Sequence, residues 1–146
     1  LLHDIALEDS KQAQILSKAE LDGSSLNGDD HQRVMDHPLR AAELVRGFNE
    51  VPPDVDGIIL QHHEAPDGSG FPRAFRHSYI SPLSAVFIVA HEIADRSVLQ
   101  GARYSFGEHL AEMKAKYGAY SHYRKVLDAI TEVFNGDTGK AGRKAA

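Results

Sequence analysis

Residues 55–72 read VDGIILQHHEAPDGSGFP, and this stretch carries the strongest signal for the fold. Its apolar residues recur at the spacing of one helix face, which predicts an amphipathic helix. These residues are Val55, Ile58 and Ile59. His62 and His63 occupy the next two places of the same series, so two imidazoles continue a face that should be buried. Because several ring nitrogens then need partners inside the core, the pair favours metal ligation over a packing role.

The rest of the chain also has helical character. No run alternates apolar and polar residues over a length that predicts a strand, so the fold class is all-α. His37-Pro38 predicts a helix start, because a proline at the first helical position loses no hydrogen bond. Ser81-Pro82 predicts another, and residues 83–94 are so apolar that we expect burial nearly all round. Two amphipathic helices follow, and the second should end at Gly136.

The length of 146 residues suits one domain and is too short for two. We assign residues 1–135 to a single helical domain and residues 136–146 to a flexible basic tail. Residues 1–7 are interpreted as the end of a helix, and a weaker helix is predicted near residues 11–20. Because the chain has no initiator methionine, we expect it to be part of a longer one.

The composition excludes several classes of function. Sixteen basic and 21 acidic side chains leave a net charge of −5, which argues against DNA binding through a basic surface. The absence of cysteine excludes disulfides, thiolate nucleophiles, zinc fingers and iron–sulfur clusters. No apolar run approaches the length of a bilayer span, so we expect a cytoplasmic protein without a membrane segment.

Histidines and carboxylates on separate predicted helices could meet at one place. They are His3, Asp4, His37, His62, His63 and Glu92. Without sulfur, such ligands suit iron, manganese, zinc or cobalt, and two ions would bind a phosphoryl group and supply hydroxide near neutral pH. This predicts a phosphodiester hydrolase. The alternatives are that His37 only caps its helix and that Glu92 pairs with Arg96. The histidines interpreted as surface residues are His31, His77, His109 and His122.

Three motifs together resemble a known family. They are His3-Asp4-Ile5-Ala6, His37-Pro38 and HHEAPDGSGFP at residues 62–72. The chain resembles the HD-GYP family, bacterial phosphodiesterases of cyclic di-GMP within the larger HD superfamily, and the third motif is the most specific. The separations also agree, with 33 positions from Asp4 to His37, 25 from His37 to His62 and 29 from His63 to Glu92.

The resemblance implies an HD-domain helical bundle, here lacking the helix upstream of the His-Asp motif. It implies two or three divalent ions, iron or manganese, and hydrolysis of cyclic di-GMP to linear pGpG, to GMP or to both. The implied metal ligands are His3, Asp4, His37, His62, His63 and Glu92, with Asp4 bridging and His91 as the alternative to Glu92. Asp4 or Asp67 would handle protons, and Arg96 and Arg103 would contact the substrate. A regulatory domain in the same longer chain is the expected partner.

The chain also departs from the family pattern. Phe71 replaces a tyrosine, which keeps the ring and removes a hydroxyl. Leu7 and Ala6 replace a lysine and a glycine, and losing an ammonium beside a phosphate costs about 1–3 kcal/mol, or about 10- to 100-fold in turnover. One alternative is therefore a weakened domain that serves as a nucleotide-, metal- or protein-binding signalling module. Another is a phosphohydrolase of mononucleotides, against which the loop at residues 67–72 counts.

Overall fold

The computed structural model describes residues 2–141, and no strand occurs in that range. Its six α-helices are α1 (Lys18–Asp22), α2 (Gly28–Arg46), α3 (Val55–Gln61), α4 (Pro82–Gln100), α5 (Phe106–Tyr117) and α6 (Ser121–Ala141). Short 3-10 helices span Leu2–Asp4, Gln12–Gln14 and Gly101–Arg103. The all-α prediction is confirmed. None of the described helices is both long and apolar enough to cross a bilayer.

The N-terminal part of the chain is less regular than predicted. Of residues 1–7, interpreted as the end of a helix, the structure shows only the 3-10 turn Leu2–Asp4, which packs against α2. The helix expected near residues 11–20 is replaced by a second 3-10 turn and the short α1. A capping box between Ser17 and Glu20 satisfies the first backbone groups of α1, so this helix starts at Lys18.

Helix α2 begins at Gly28, so the prediction of a helix start at His37-Pro38 is wrong. Asn27 caps the first turn by accepting a hydrogen bond from the backbone N–H of Asp30, and the helix is established well before the proline. Pro38 is buried inside α2, although an interior proline removes one backbone hydrogen bond and costs about 3 kcal/mol. His37 therefore lies in the interior of a long helix and does not cap its end.

Helix α3 ends at Gln61, just before the histidine pair. It packs against α2, with which it forms one part of the core. His62 is the C-cap residue and His63 lies beyond the helix, yet both are buried because the following loop packs over them. The burial predicted from the apolar series is confirmed, although the helix itself does not extend that far.

Helix α4 starts as predicted, with Ser81 as its cap and Pro82 in its first turn. Leu83 and Val86 are 55% and 48% exposed, so the expectation of burial nearly all round is wrong. One face of α4 packs against α5 and α6. The exposed face borders an open apolar groove of about 790 Å³ between α4 and α6.

The largest part of the core joins α4, α5 and α6. The residues predicted to face inward from α5 are all buried; they are Leu110, Met113 and Tyr117. A smaller part consists of Leu21, Val34 and Phe71 and lies beside the histidine pair. Helix α6 continues past Gly136 to Ala141, which corrects its predicted end, and residues 142–146 of the predicted tail lie outside the described range.

Candidate metal centre

Four parts of the chain bring histidine and aspartate side chains together. His3 and Asp4 lie on the first 3-10 turn, His37 in α2, His62 and His63 directly after α3, and His91 in α4. Two groups among the described residues offer ligand atoms within 4.8 Å of one another: Asp4, His37, His62 and His63, and His3, Asp4 and His91. Five of the six ligands predicted from the sequence therefore meet, and Asp4 belongs to both groups.

Backbone carbonyls orient three of these imidazoles. The Nδ1 atom of His37 lies 2.7 Å from the Val34 oxygen, that of His62 lies 2.6 Å from the Ile59 oxygen, and that of His63 lies 3.1 Å from the Leu16 oxygen. A carbonyl only accepts hydrogen bonds, so each Nδ1 must carry the proton and donate. In the neutral rings each Nε2 then keeps a lone pair, which is the arrangement typical of metal-ligating histidines.

No proton is left to form a hydrogen bond between His37 and His62. Their Nε2 atoms lie 3.1 Å apart, and each ring already donates its Nδ1 proton to a carbonyl. Two neutral imidazoles supply two protons for three polar contacts, so two lone pairs face each other. A cation placed against both lone pairs would remove this repulsion. The donor set thus fits a divalent metal ion.

Asp4 supplies negative charge to both groups of ligands. Its Oδ1 atom lies 3.4 Å from His37 Nε2 and 3.8 Å from His62 Nε2, whereas Oδ2 lies 3.1 Å from His3 Nε2. Burial alone would raise the pKa of Asp4, but its hydrogen bond with His3 acts in the opposite direction, and the pKa lies below its ordinary value. The ionised carboxylate presents one oxygen to each group, as a bridging ligand would.

Two buried histidines of the centre, His62 and His63, are held in their neutral form. Burial lowers the pKa of His62 to about 4, although the hydrogen bond with Asp4 opposes the shift. Burial also lowers the pKa of His63, and the neighbouring imidazoles of His62 and His37 add to the effect. Neutral imidazole is the form that binds metals, so these two rings need not lose a proton at neutral pH before ligation.

One buried polar atom of the second group lacks a partner in the part of the chain that the structure describes. The Nδ1 atom of His3 is buried and has no hydrogen-bond partner among the described residues. The His91 Nε2 atom lies 3.1 Å from Asp95 Oδ2, one turn further along α4. Burial lowers the pKa of His91 and raises that of Asp95, while each partner's charge opposes the shift. Buried polar atoms without partners are uncommon and suit a ligand site.

A protein-family model described as an HD domain matches residues 14–123, well over half of the chain. The chain belongs to the HD domain family. The HD superfamily consists of metal-dependent phosphohydrolases, in keeping with the histidine and aspartate cluster of this chain. No curated protein and no solved structure matches it. His3 and Asp4 precede the matched range, so geometry alone adds them to the centre.

Glu92 of this HD domain lies apart from the ligand cluster, which corrects its predicted placement. Its Oε2 atom accepts hydrogen bonds from the Tyr117 hydroxyl at 2.5 Å and from Lys116 Nζ at 3.2 Å. Burial alone would raise the pKa of Glu92, but Tyr117 and Lys116 hold it below its ordinary value. Successive helix residues point in different directions, so α4 directs His91 to the cluster and Glu92 to α5. His91, which the sequence offered as the alternative to Glu92, lies in the cluster beside His3 and Asp4.

The prediction that His109 lies at the surface is also wrong. Its side chain is buried, and its Nδ1 atom lies 3.0 Å from the Tyr104 hydroxyl. On the other side of the ring, Nε2 lies 3.6 Å from Glu92 Oε1. The residue thus belongs to the polar contacts between α4 and α5 and not to the exposed surface.

Three other predicted site residues lie away from the centre of the HD domain. Asp67 accepts hydrogen bonds from the backbone N–H of Ser69 at 2.9 Å and from its hydroxyl at 2.6 Å, so it stabilises a turn of the loop. These bonds also lower the pKa of Asp67. Arg96 forms an ion pair with Glu112 on α5. Arg103 lies exposed in the last 3-10 turn. None of the three lines the cavity beside the cluster.

That cavity has a volume of about 170 Å³ and is lined by His62, His63, His91 and Asp95 on the side of the cluster. Lys18 and Lys116 are its two basic residues other than histidine, and the sequence analysis missed both. Lys116 contacts Glu92, which is 24 positions away along the chain, so periodicity and motif spacing contain no signal for it.

Two departures from the HD-GYP motifs have structural explanations. Phe71 is buried, and its ring stacks on His63 with centroids 4.5 Å apart, where the ring matters and a hydroxyl has little room. Leu7 packs against the apolar cluster around Phe71. The residue in the place of the family's lysine is therefore part of the core packing.

Proposed function

We propose that this HD domain is a metal-dependent phosphodiesterase that hydrolyses cyclic di-GMP to linear pGpG, to GMP or to both. The observation that carries the proposal is the contact between His37 and His62. Their Nε2 atoms face each other at 3.1 Å beside the carboxylate of Asp4, and a divalent cation bound between them would remove the repulsion of their lone pairs.

Two ions sharing Asp4 account best for the two ligand groups. Asp4, His37, His62 and His63 would hold one ion, and His3, Asp4 and His91 would hold the other. Iron or manganese suits such nitrogen and oxygen donors. When bound, these ions lower the pKa of coordinated water and neutralise charge on a phosphoryl group.

The chain's own residues prepare the site for an anionic substrate. Carbonyls fix the proton of His37, His62 and His63 on Nδ1, so these three rings are oriented in advance. Lys18 and Lys116 line the cavity and can donate to phosphate oxygens. Lys18 pairs with Asp22 and Lys116 with Glu92, but both line the cavity, whereas Arg96 pairs with Glu112 outside it.

The choice of cyclic di-GMP rests on the motif at residues 62–72 together with the size of the cavity. At about 170 Å³ the cavity is smaller than the roughly 300 Å³ at which small-molecule pockets usually begin. It suits a phosphodiester group, with the nucleosides of the substrate lying outside its mouth. A mononucleotide hydrolase would be expected to enclose the base, so the geometry favours the larger substrate.

Metal analysis and a hydrolysis assay test this proposal. Protein purified without chelator should contain at least one equivalent of metal, and with iron or manganese it should convert cyclic di-GMP to pGpG or GMP. The H37A variant should lose metal and turnover. The H122A variant should keep both, because His122 borders the groove between α4 and α6. Wild-type protein that binds no metal under reducing conditions would contradict the proposal.

A second candidate function is a signalling module that binds metal and nucleotide without turnover. The packing of Leu7 in the core favours it, since no ammonium occupies the place of the family's lysine. Metal and cyclic di-GMP binding without product would support this candidate over the phosphodiesterase. Faster hydrolysis of a mononucleotide would instead support the third, mononucleotide-specific alternative.

A further inference from the structure

We infer that Pro38 is a positioning residue of the metal centre, because it frees the carbonyl that orients His37. The inference rests on the proposed metal site and concerns how the chain prepares one ligand before metal arrives. It also explains why α2 retains a buried proline that weakens the helix.

The missing backbone donor lies beside His37. Helix α2 continues through Pro38, so in a regular helix the N–H at position 38 would bond the carbonyl of Val34. Proline has no N–H, and this carbonyl loses its usual donor. The Nδ1 atom of His37 lies 2.7 Å from the Val34 oxygen and replaces that donor. Both His37 and Pro38 are buried, where an unbonded carbonyl would be costly.

This hydrogen bond determines which nitrogen of His37 faces the centre. With the proton on Nδ1, the lone pair lies on Nε2, which is 3.4 Å from Asp4 Oδ1 and 3.1 Å from His62 Nε2. The other tautomer would turn an N–H toward the metal position. A single missing backbone proton thus selects the ligating form of the ring.

His62 obtains the same orientation from a helix end. Helix α3 stops at Gln61, and the Ile59 carbonyl in its last turn accepts only a long backbone hydrogen bond of 3.5 Å, from the N–H of His62. The His62 Nδ1 atom lies 2.6 Å from the oxygen of Ile59, three positions earlier, just as Val34 is three positions before His37. Helix α2 packs against α3 and continues to Arg46, so it cannot end at His37. The proline frees a carbonyl without ending the helix.

The P38A variant separates positioning from a merely structural role. Alanine restores the N–H, so the metal-free variant should be more stable, with a Tm higher by several degrees. Its backbone bond competes for the Val34 carbonyl, so His37 should lose its preference for the Nδ1-H tautomer in ¹⁵N NMR spectra of the imidazoles. Affinity for Mn²⁺ should fall about tenfold. A purely structural proline predicts the stability gain alone.

The P82A variant is the matched control. Pro82 lies in the first turn of α4, where a backbone N–H has no helical acceptor, so neither the His37 tautomer nor the Mn²⁺ affinity should change. P38A protein that keeps the Nδ1-H tautomer and wild-type Mn²⁺ affinity would overturn the inference.

The wild-type spectrum provides a test that does not depend on the variant folding. Metal-free wild-type protein should show His37 as the Nδ1-H tautomer, and an Nε2-H tautomer would overturn the inference. This readout needs no metal. Failure of wild-type protein to bind Mn²⁺ would contradict the proposed function while leaving the tautomer result to decide the role of Pro38.

Discussion

The ring of Phe71 stacks on the ring of His63, with centroids 4.5 Å apart and planes 13° apart. The backbone N–H of Phe71 also donates to the carbonyl of His63 at 3.1 Å. Gly70 lies so close that a Cβ there would be 2.3 Å from the backbone nitrogen of Ala65 and 2.5 Å from the His63 oxygen. The glycine is thus required for the loop to pack directly onto the histidine pair.

Replacing Phe71 by leucine should weaken metal binding more than its effect on stability explains. The F71L variant keeps most of the apolar volume and should lose about 1–2 kcal/mol of folding free energy. It removes the stacking surface of His63, so Mn²⁺ affinity should fall about tenfold, as measured by competition with a chromophoric chelator. The control is L127M, in the separate core of α4, α5 and α6, which should be mildly destabilised with unchanged Mn²⁺ affinity.

The carboxylate of Glu64 holds the far end of the same loop. Its Oε1 atom accepts from the backbone N–H of Arg73 at 2.8 Å, and Oε2 accepts from that of Phe75 at 2.7 Å. The residue between them, Ala74, has a φ of +54°, a left-handed conformation that costs about 1 kcal/mol or more for a residue with a Cβ. Two charge-assisted hydrogen bonds, donated by the backbone to one buried carboxylate, hold this strained turn in place.

The E64Q variant should be destabilised by about 1–3 kcal/mol in urea unfolding, because an amide NH₂ must face one of the two backbone donors. Glycine at position 74 removes the left-handed penalty, so A74G alone should gain about 1 kcal/mol. The double variant should recover part of the lost stability. An E64Q protein as stable as wild type would contradict the role of this carboxylate.

Lys116 should contribute to substrate binding and not to metal binding. A hydrogen bond to a charged group is worth about 1.5 kcal/mol, or roughly tenfold in affinity. The K116M variant should therefore raise KM for cyclic di-GMP about tenfold at low salt, with its metal content unchanged. K114M is the control, since Lys114 is exposed on the same helix and does not line the cavity. Equal KM values for the two variants would exclude this role.

The stability of the metal-free protein should fall as the pH is lowered from about 6.5 to 4. The folded protein holds the pKa of His62 at about 4, below the ordinary value of 6.5, so the unfolded chain binds more protons across this window. His62 alone accounts for about 3 kcal/mol of lost stability at pH 4, and burial of His63 acts in the same direction. Urea unfolding at stepped pH in the presence of chelator measures the loss.

The H62N variant provides the control for the pH series. It lacks the titrating group, so its stability should change less between pH 6.5 and 4 than that of wild type. A wild-type profile that is flat across this window would contradict a buried, neutral His62.

Local patterns were sufficient for the fold class and for most of the residues that meet at the candidate metal centre. Apolar residues at helical spacing predicted the all-α fold, the start of α4 and the buried face of α5. Two consecutive histidines at the end of an apolar series indicated buried imidazoles, and both are buried. These features depend on neighbours within a few positions, and a sequence displays such neighbours directly.

Local sequence patterns did not predict the boundaries of the helices or the contacts of the loops. The rule that proline favours a helix start placed the beginning of α2 at His37, whereas the Asn27 cap starts it at Gly28. A proline is tolerated inside a helix when another donor takes the freed carbonyl, and here that donor is the His37 side chain. Its reach to Val34 depends on the rotamer adopted in the packed core.

By itself, the sequence determined that histidines would be buried in or beside helices without sulfur ligands, because residue type and spacing govern both. Only the tertiary structure decided that His91 and not Glu92 meets Asp4, and that Lys116 borders the cavity while Arg96 does not. The physical reason is angular: neighbouring helix residues point about 100° apart, so the packing of α4 against its neighbours selects which side chain reaches the centre.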